Sequence, residues 1–224
     1  MKRFFALSVS ALFCIPFSLK CQNAGEINDS IQKYRTGIIV VKTSPNTTVK
    51  LEQVQHEFWF GATLPNRIFN GNADEKDIQK FKETFLEYFT VAVTENALKW
   101  GQMEPQKGKV NFTLVDNMLL WADENQIPLR GHNVYWGTDR FVQDWLKELD
   151  DEQLTQELEK RGRMIGARYK GRFAEYDFNN EMLLGDYYQK RLGPQITPKM
   201  ARWVKESDPE AKLYLNDFDI LTGN

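Results

Sequence analysis

From Phe58 onward the chain alternates short apolar runs with longer stretches whose apolar residues recur every three or four positions, and this alternation constrains the fold more than any other feature. Five short runs read as strands: Phe58–Ala62, Thr90–Glu95, Leu129–Val134, Phe173–Asn179 and Lys212–Asn216. The stretches between them read as amphipathic helices. Asp74–Tyr88 sets Ile78, Phe81, Phe85 and Tyr88 on one face, and Leu114–Glu124 turns Val115, Met118, Leu119 and Ala122 inward, with Pro128 beyond its end. A third helix, capped by Asp150 or Asp151, carries Leu154, Leu158, Ile165 and Tyr169 and closes at Gly171. A fourth lies near Pro198–Ser207.

Repeated strand–helix units imply an α/β fold with a parallel sheet, either a (β/α)8 TIM barrel or an open doubly wound sheet. No G-x-G-x-x-G follows a strand and no G-x-x-x-x-G-K-[ST] occurs, which argues against nucleotide binding. Polar residues gather where strands end: Glu95, His132, Asn180, Glu181, Asn216 and Asp217. Barrels build their sites at that end. The five units span about 167 residues, against about 250 for a closed barrel. The expectation is an incomplete barrel of about the first five βα units.

Before the barrel, Met1-Lys2-Arg3 followed by the apolar run Phe4–Phe17 reads as a secretory signal peptide over residues 1–21. The protein is therefore expected to be secreted or periplasmic. Both cysteines, Cys14 and Cys21, fall inside this segment, so no disulfide framework is expected in the mature protein. Lipid anchoring at Cys21 is disfavoured by Lys20, which sits where a small residue belongs. Residues 22–55 read as a polar linker leading into a short helix and then a β extension. In the extension Ile38–Val41 forms an apolar run, Ser44-Pro45-Asn46 a turn, and Val49, Leu51 and Val54 alternate with polar neighbours. Residues 56–224 form the partial barrel. With net charge −2 and no basic patch, nucleic acid is not an expected partner. Two separated histidines, His56 and His132, make no zinc site, and the metal expectation is none. Oligomeric state is not legible. Six Trp and 13% aromatic residues suit a sugar-binding cleft or a Trp-rich core equally well.

Four segments, in order, carry a resemblance. They are Thr94-Glu95-Asn96-Ala97-Leu98-Lys99-Trp100 with Glu104-Pro105 and Gly108; Arg130-Gly131-His132-Asn133-Val134-Tyr135-Trp136; Tyr176-Asp177-Phe178-Asn179-Asn180-Glu181; and Leu213-Tyr214-Leu215-Asn216-Asp217. Together they resemble family 10 glycoside hydrolases, the endo-β-1,4-xylanases, over roughly residues 56–220. The resemblance implies hydrolysis of β-1,4-xylosidic bonds in xylan by a retaining mechanism that uses two glutamates and no cofactor.

The resemblance makes Glu181 the general acid/base. Glycoside hydrolysis needs an acid to protonate the leaving oxygen as an oxocarbenium-like centre develops. Asn180 is implied to hydrogen-bond the 2-hydroxyl of the sugar at the cleavage point, and Glu95, Asn96 and Lys99 to grip the sugar one step away. His132 is implied to bind sugar, Trp136 to form a stacking wall, and Asn216 to support the pocket. Asp177 is expected to face the interior, if the strand alternates from Glu181, and there to hold a neighbour or tune the acid. The family's nucleophile belongs to a seventh strand, expected beyond Asn224. Gly137 stands where the family commonly has His, Tyr176 where it has Trp, and Asn179 where it has Val. Those departures keep two other readings open: a related hydrolase acting on another β-glucan or a decorated xylan, and a non-catalytic glycan-binding fragment.

Overall fold

A computed structural model describes residues 24–54 and 57–221. The signal segment with Cys14 and Cys21, His56 and the last three residues lie outside them. The chain divides into two compact units, Met1–Glu52 and Gln53–Asn224. In the first, helix α1 spans Ala24–Arg35, with Glu26 in its first turn and Lys33 and Arg35 in its last, complementing the helix dipole. A turn follows at Pro45–Asn46, where Thr47 N–H donates to the Ser44 carbonyl. The expected β extension is corrected here: residues 36–54 and 57–60 contain no strand. Ile38–Val41 has the composition of a strand, but a strand exists only through a ladder with a neighbour, and none forms among the described residues.

The second unit is a five-stranded, all-parallel sheet in sequential order. Its strands are β1 (Gly61–Leu64), β2 (Val91–Thr94), β3 (Leu129–Trp136), β4 (Glu175–Asn180) and β5 (Leu213–Asn216). The principal crossover helices are the expected four, numbered in chain order with the short ones between them. The first crossover contains α2 (Asn66–Phe69) and α3 (Glu75–Tyr88), the second α4 (Trp100–Met103) and α5 (Thr113–Glu124). The third contains α6 (Asp144–Lys147) and α7 (Asp151–Arg168), the fourth α8 (Tyr187–Leu192) and α9 (Ile196–Ser207). This is the arrangement of the first five units of a (β/α)8 barrel.

Local chemistry sets the helix ends. Asp150 rather than Asp151 caps α7, in a reciprocal box: its carboxylate accepts from Gln153 N–H at 2.8 Å, while the Gln153 amide oxygen accepts from Asp150 N–H. Asp74 caps α3 by accepting from Lys76 N–H. Gly171, at φ +69°, releases the chain from α7 toward β4.

Both central strands bulge. Between Tyr176 and Asn180, β4 inserts one residue relative to β5, and β3 shifts register against β4 between His132 and Tyr135. The His132–Asn133 peptide is cis. These bulges break the two-residue alternation near the strand ends and re-aim the side chains there.

Candidate active site

Glu181 follows β4 directly and sits in the left-handed region at φ +54°. Such a backbone costs a non-glycine residue about 1 kcal/mol or more, and fixed neighbours hold it there. Its N–H donates to the Asn216 carbonyl of β5 at 2.7 Å, and its own carbonyl accepts from Gly185 N–H at 2.5 Å and Leu184 N–H at 3.2 Å. The half-buried carboxylate accepts at Oε2 from the Trp136 indole N–H at 2.7 Å and from the Thr138 hydroxyl at 3.4 Å. Oε1 is left as the oxygen without those donors.

Trp136 ends β3 and is held on both sides. Its ring stacks on Phe141, with centroids 3.9 Å apart and planes 23° apart, and the Lys99 ammonium lies 4.5 Å from its centroid. Lys99 also donates to the Asn96 amide oxygen at 2.8 Å. Burial lowers the Lys99 pKa, and the carboxylates of Glu181 and Glu95 offset part of that. Glu95 is exposed and joins the cluster through its charge.

A second group lies deeper. Asp177 is 4% exposed and accepts from Arg130 and from His132 Nδ1, the latter at 2.8 Å. Arg130 also pairs with Glu175 at 2.5 Å and lies over the Tyr214 ring. Burial pushes the Asp177 carboxyl up, but hydrogen bonds from His132 and Arg130, with the Arg130 charge, more than offset this and leave its pKa below the usual value. His132 is thereby fixed through Nδ1, its backbone N–H donates to Thr94 Oγ1 at 2.8 Å, and its Nε2 edge carries no described hydrogen bond. Asp177 does face inward and hold a neighbour. Simple alternation from Glu181 is not the reason, since Glu181 is off the strand and β4 bulges in between.

Asn180, 2% exposed, accepts from the Asn216 side-chain amide at 2.7 Å. Asn216 therefore supports the acid's backbone and the neighbouring amide together. The Glu104-Pro105 segment turns out to be a loop anchor. Buried Glu104 accepts from Trp100 Nε1 at 2.9 Å and from Gly108 N–H at 2.7 Å.

Thr138, Phe141 and Arg161 lie outside the residues that sequence alone assigns to the site, and Thr94 and Arg130 stand within the resembling segments without a task of their own. Arg161 is visible as a charge in the apolar stripe of α7, between Leu158 and Ile165. The contacts of Thr138, Thr94 and Phe141 have no local signal. Beside Glu181, the loops after β2 and β3 enclose a cavity of about 760 Å³ whose walls include Lys99, Trp136, Gln102, Arg140 and Trp145, but not Glu181 itself. No group of three or more potential metal ligands occurs among the described residues.

The sequence pattern described as "Glycosyl hydrolase family 10" matches residues 51–224. "Endo-1,4-beta-xylanase 1" of Arabidopsis thaliana is 36% identical over 176 residues, covering 79% of this chain and 18% of its own length. "Anti-sigma-I factor RsgI6" of Acetivibrio thermocellus is 30% identical over 198 residues, covering 87% of this chain and 25% of its own. Among solved structures, xylanase 10B from Thermotoga petrophila RKU-1 in complex with xylobiose superposes with a TM-score of 0.64 at 28% identity, covering 71% of this chain and 49% of that one. The chain thus spans about a fifth of the first relative, a quarter of the second and about half of the structural one.

Proposed function

Because the chain belongs to glycosyl hydrolase family 10, we propose that it carries the acid/base half of a retaining endo-β-1,4-xylanase, acting on xylan. The observation that carries this reading is the Glu181 carboxylate at a strand's C-terminal end, tied through one oxygen to Trp136 and beside Lys99. With Oε2 occupied by N–H and O–H donors, the transferable proton belongs on Oε1. From there it passes to the glycosidic oxygen as the anomeric carbon exchanges its bond to that oxygen for one to the second glutamate of a retaining pair, and the resulting Glu181 carboxylate later takes a proton from the water that displaces that glutamate.

Other residues bind and orient. Lys99, Asn96 and Glu95 present an ammonium, an amide and a carboxylate to hydroxyls of the neighbouring sugar, fixing its register. The Nε2 edge of His132 faces sugar hydroxyls while Asp177 holds Nδ1. Trp136, its ring covered by Phe141 and the Lys99 ammonium, serves the cleavage point through its indole N–H and not as a stacking face, and Asn180, braced by Asn216, meets the 2-hydroxyl. Secretion through the N-terminal segment fits a polymeric substrate that cannot enter a cell.

Reducing-sugar release from xylan by the full-length protein that carries these residues tests the proposal, with a Glu181→Ala variant as control. Release that survives unchanged in the variant would remove Glu181 from the mechanism. A panel including other β-glucans and decorated xylans decides the substrate. Glycan binding without cleavage is the second reading, favoured by the relative that bears a regulator's name rather than a hydrolase's. Xylan retention with no sugar release at any protein concentration is its signature.

A further inference from the structure

The side chain of Arg161 is 1% exposed, and among the described residues no carboxylate lies within 4.0 Å of it. A buried guanidinium in that position is costly unless its donors are matched. Here two main-chain carbonyls and one side-chain sulfur accept from it: Nη2 donates to the Leu98 carbonyl at 2.6 Å, Nε to the Val134 carbonyl at 3.2 Å, and Nη1 to the Met103 sulfur at 3.3 Å. Burial lowers its pKa to about 10, so it remains charged at neutral pH.

The acceptors are informative. Leu98 immediately precedes Lys99, and Val134 lies between His132 and Trp136. The Lys99 ammonium rests 4.5 Å from the Trp136 ring centre, so the two backbones joined by Arg161 are those whose spacing sets that contact. Arg161 comes from α7, outside the sheet, and touches neither Glu181 nor the sugar-facing groups. We propose that Arg161 is a positioning residue that clasps the loop after β2 to the end of β3, holds Lys99 against Trp136, and thereby sets the grip of Lys99 on the sugar one step beyond the one at the cleaved bond. The planar fork of a guanidinium spans two separated carbonyls from different nitrogens, whereas a lysine ammonium, on a shorter stem, directs its three donors from a single atom and does not reproduce that span.

The inference rests on the proposed glycosidase reading, and the test separates the two. In the full-length protein, kcat/KM is measured for an aryl β-xylobioside and an aryl β-xyloside, since only the longer substrate places a sugar against the Lys99 cluster. Arg161→Lys and Arg161→Met are each expected to lower the xylobioside-to-xyloside ratio of kcat/KM about tenfold, equivalent to about 1.4 kcal/mol. A loss of folded protein scales both substrates equally and leaves the ratio alone. The lysine variant carries the test if the methionine variant does not fold. In a Lys99→Ala background the effect of Arg161→Lys on the ratio should disappear. An unchanged ratio in folded variants, or an equal drop with and without Lys99, overturns the proposal. Xylobiose affinity by calorimetry reads the same contact without turnover, and a tenfold weaker complex is expected. Unmutated protein that neither cleaves nor binds these sugars would sink the glycosidase reading and this inference with it.

Discussion

The indole N–H of Trp136 reaches Oε2 of Glu181 at 2.7 Å, from a ring fixed between Phe141 and the Lys99 ammonium. The carboxylate is aimed by an aromatic residue from the adjacent strand. Replacing Trp136 by Phe keeps an aromatic ring and removes the donor. The xylan rate is expected to fall about tenfold, the scale of a lost hydrogen bond of about 1.5 kcal/mol to a charged group. Steady-state assays against unmutated protein check this.

Removing the acid itself goes further. Glu181→Ala should lower the xylan rate by about 10²–10⁴, the usual contribution of general acid–base catalysis. An aryl glycoside with an acidic phenol as leaving group needs little protonation, so its bond-breaking step should be slowed far less. Equal losses on both substrates would place Glu181 outside proton transfer.

The Asp177 carboxylate makes a pH prediction. Its folded pKa lies below the unfolded value of about 3.9. The stabilisation it supplies is therefore fully present above that value and lost as pH falls through the lower folded one. Asp177→Asn should destabilise the protein at pH 7 by about 2–4 kcal/mol, leaving Arg130 and His132 without their acceptor. It should also flatten the acid limb of the stability curve below about pH 4. Denaturant melts from pH 2 to 7 check both.

Gly131 of the Arg-Gly-His segment is required by space. A Cβ there would lie 2.7 Å from Tyr176 Cδ1 and 2.8 Å from Leu98 Cδ2. Gly131→Ala should cost about 1–3 kcal/mol through overpacking, read as a lowered denaturation midpoint with unchanged slope.

At the start of α7, Asp150→Ala removes one half of a capping box and should cost about 1 kcal/mol. Activity per folded molecule should be unchanged, because the cap pairs Asp150 only with Gln153 and with none of the site residues. A thermal melt paired with an assay separates the two quantities.

Much of this fold is written in local pattern. The four long crossover helices and five strands appear in the sequence because their apolar periods differ, helped at α3 and α7 by the capping carboxylates of Asp74 and Asp150. The strand-end residues of the site follow, since parallel units place those ends together. Other features escape for physical reasons. Helices α2, α4, α6 and α8 run four to six residues, too short for a helical period to register. The inserted residue in β4 violates the alternation that strand reading assumes. The left-handed turn at Glu181 depends on an acceptor in β5, remote in sequence. At residues 37–54 composition favours strands, yet pairing decides, and none occurs within the described chain.

Asn216 has a consequence in time as well as in space. The ribosome delivers Glu181 before it delivers the strand whose Asn216 carbonyl accepts from the Glu181 N–H and whose Asn216 amide braces the neighbouring Asn180. During synthesis the acid and Trp136 are thus both present before the backbone anchor of the acid, which arrives only with the fifth strand. Competence for chemistry is a late event in the life of each new molecule.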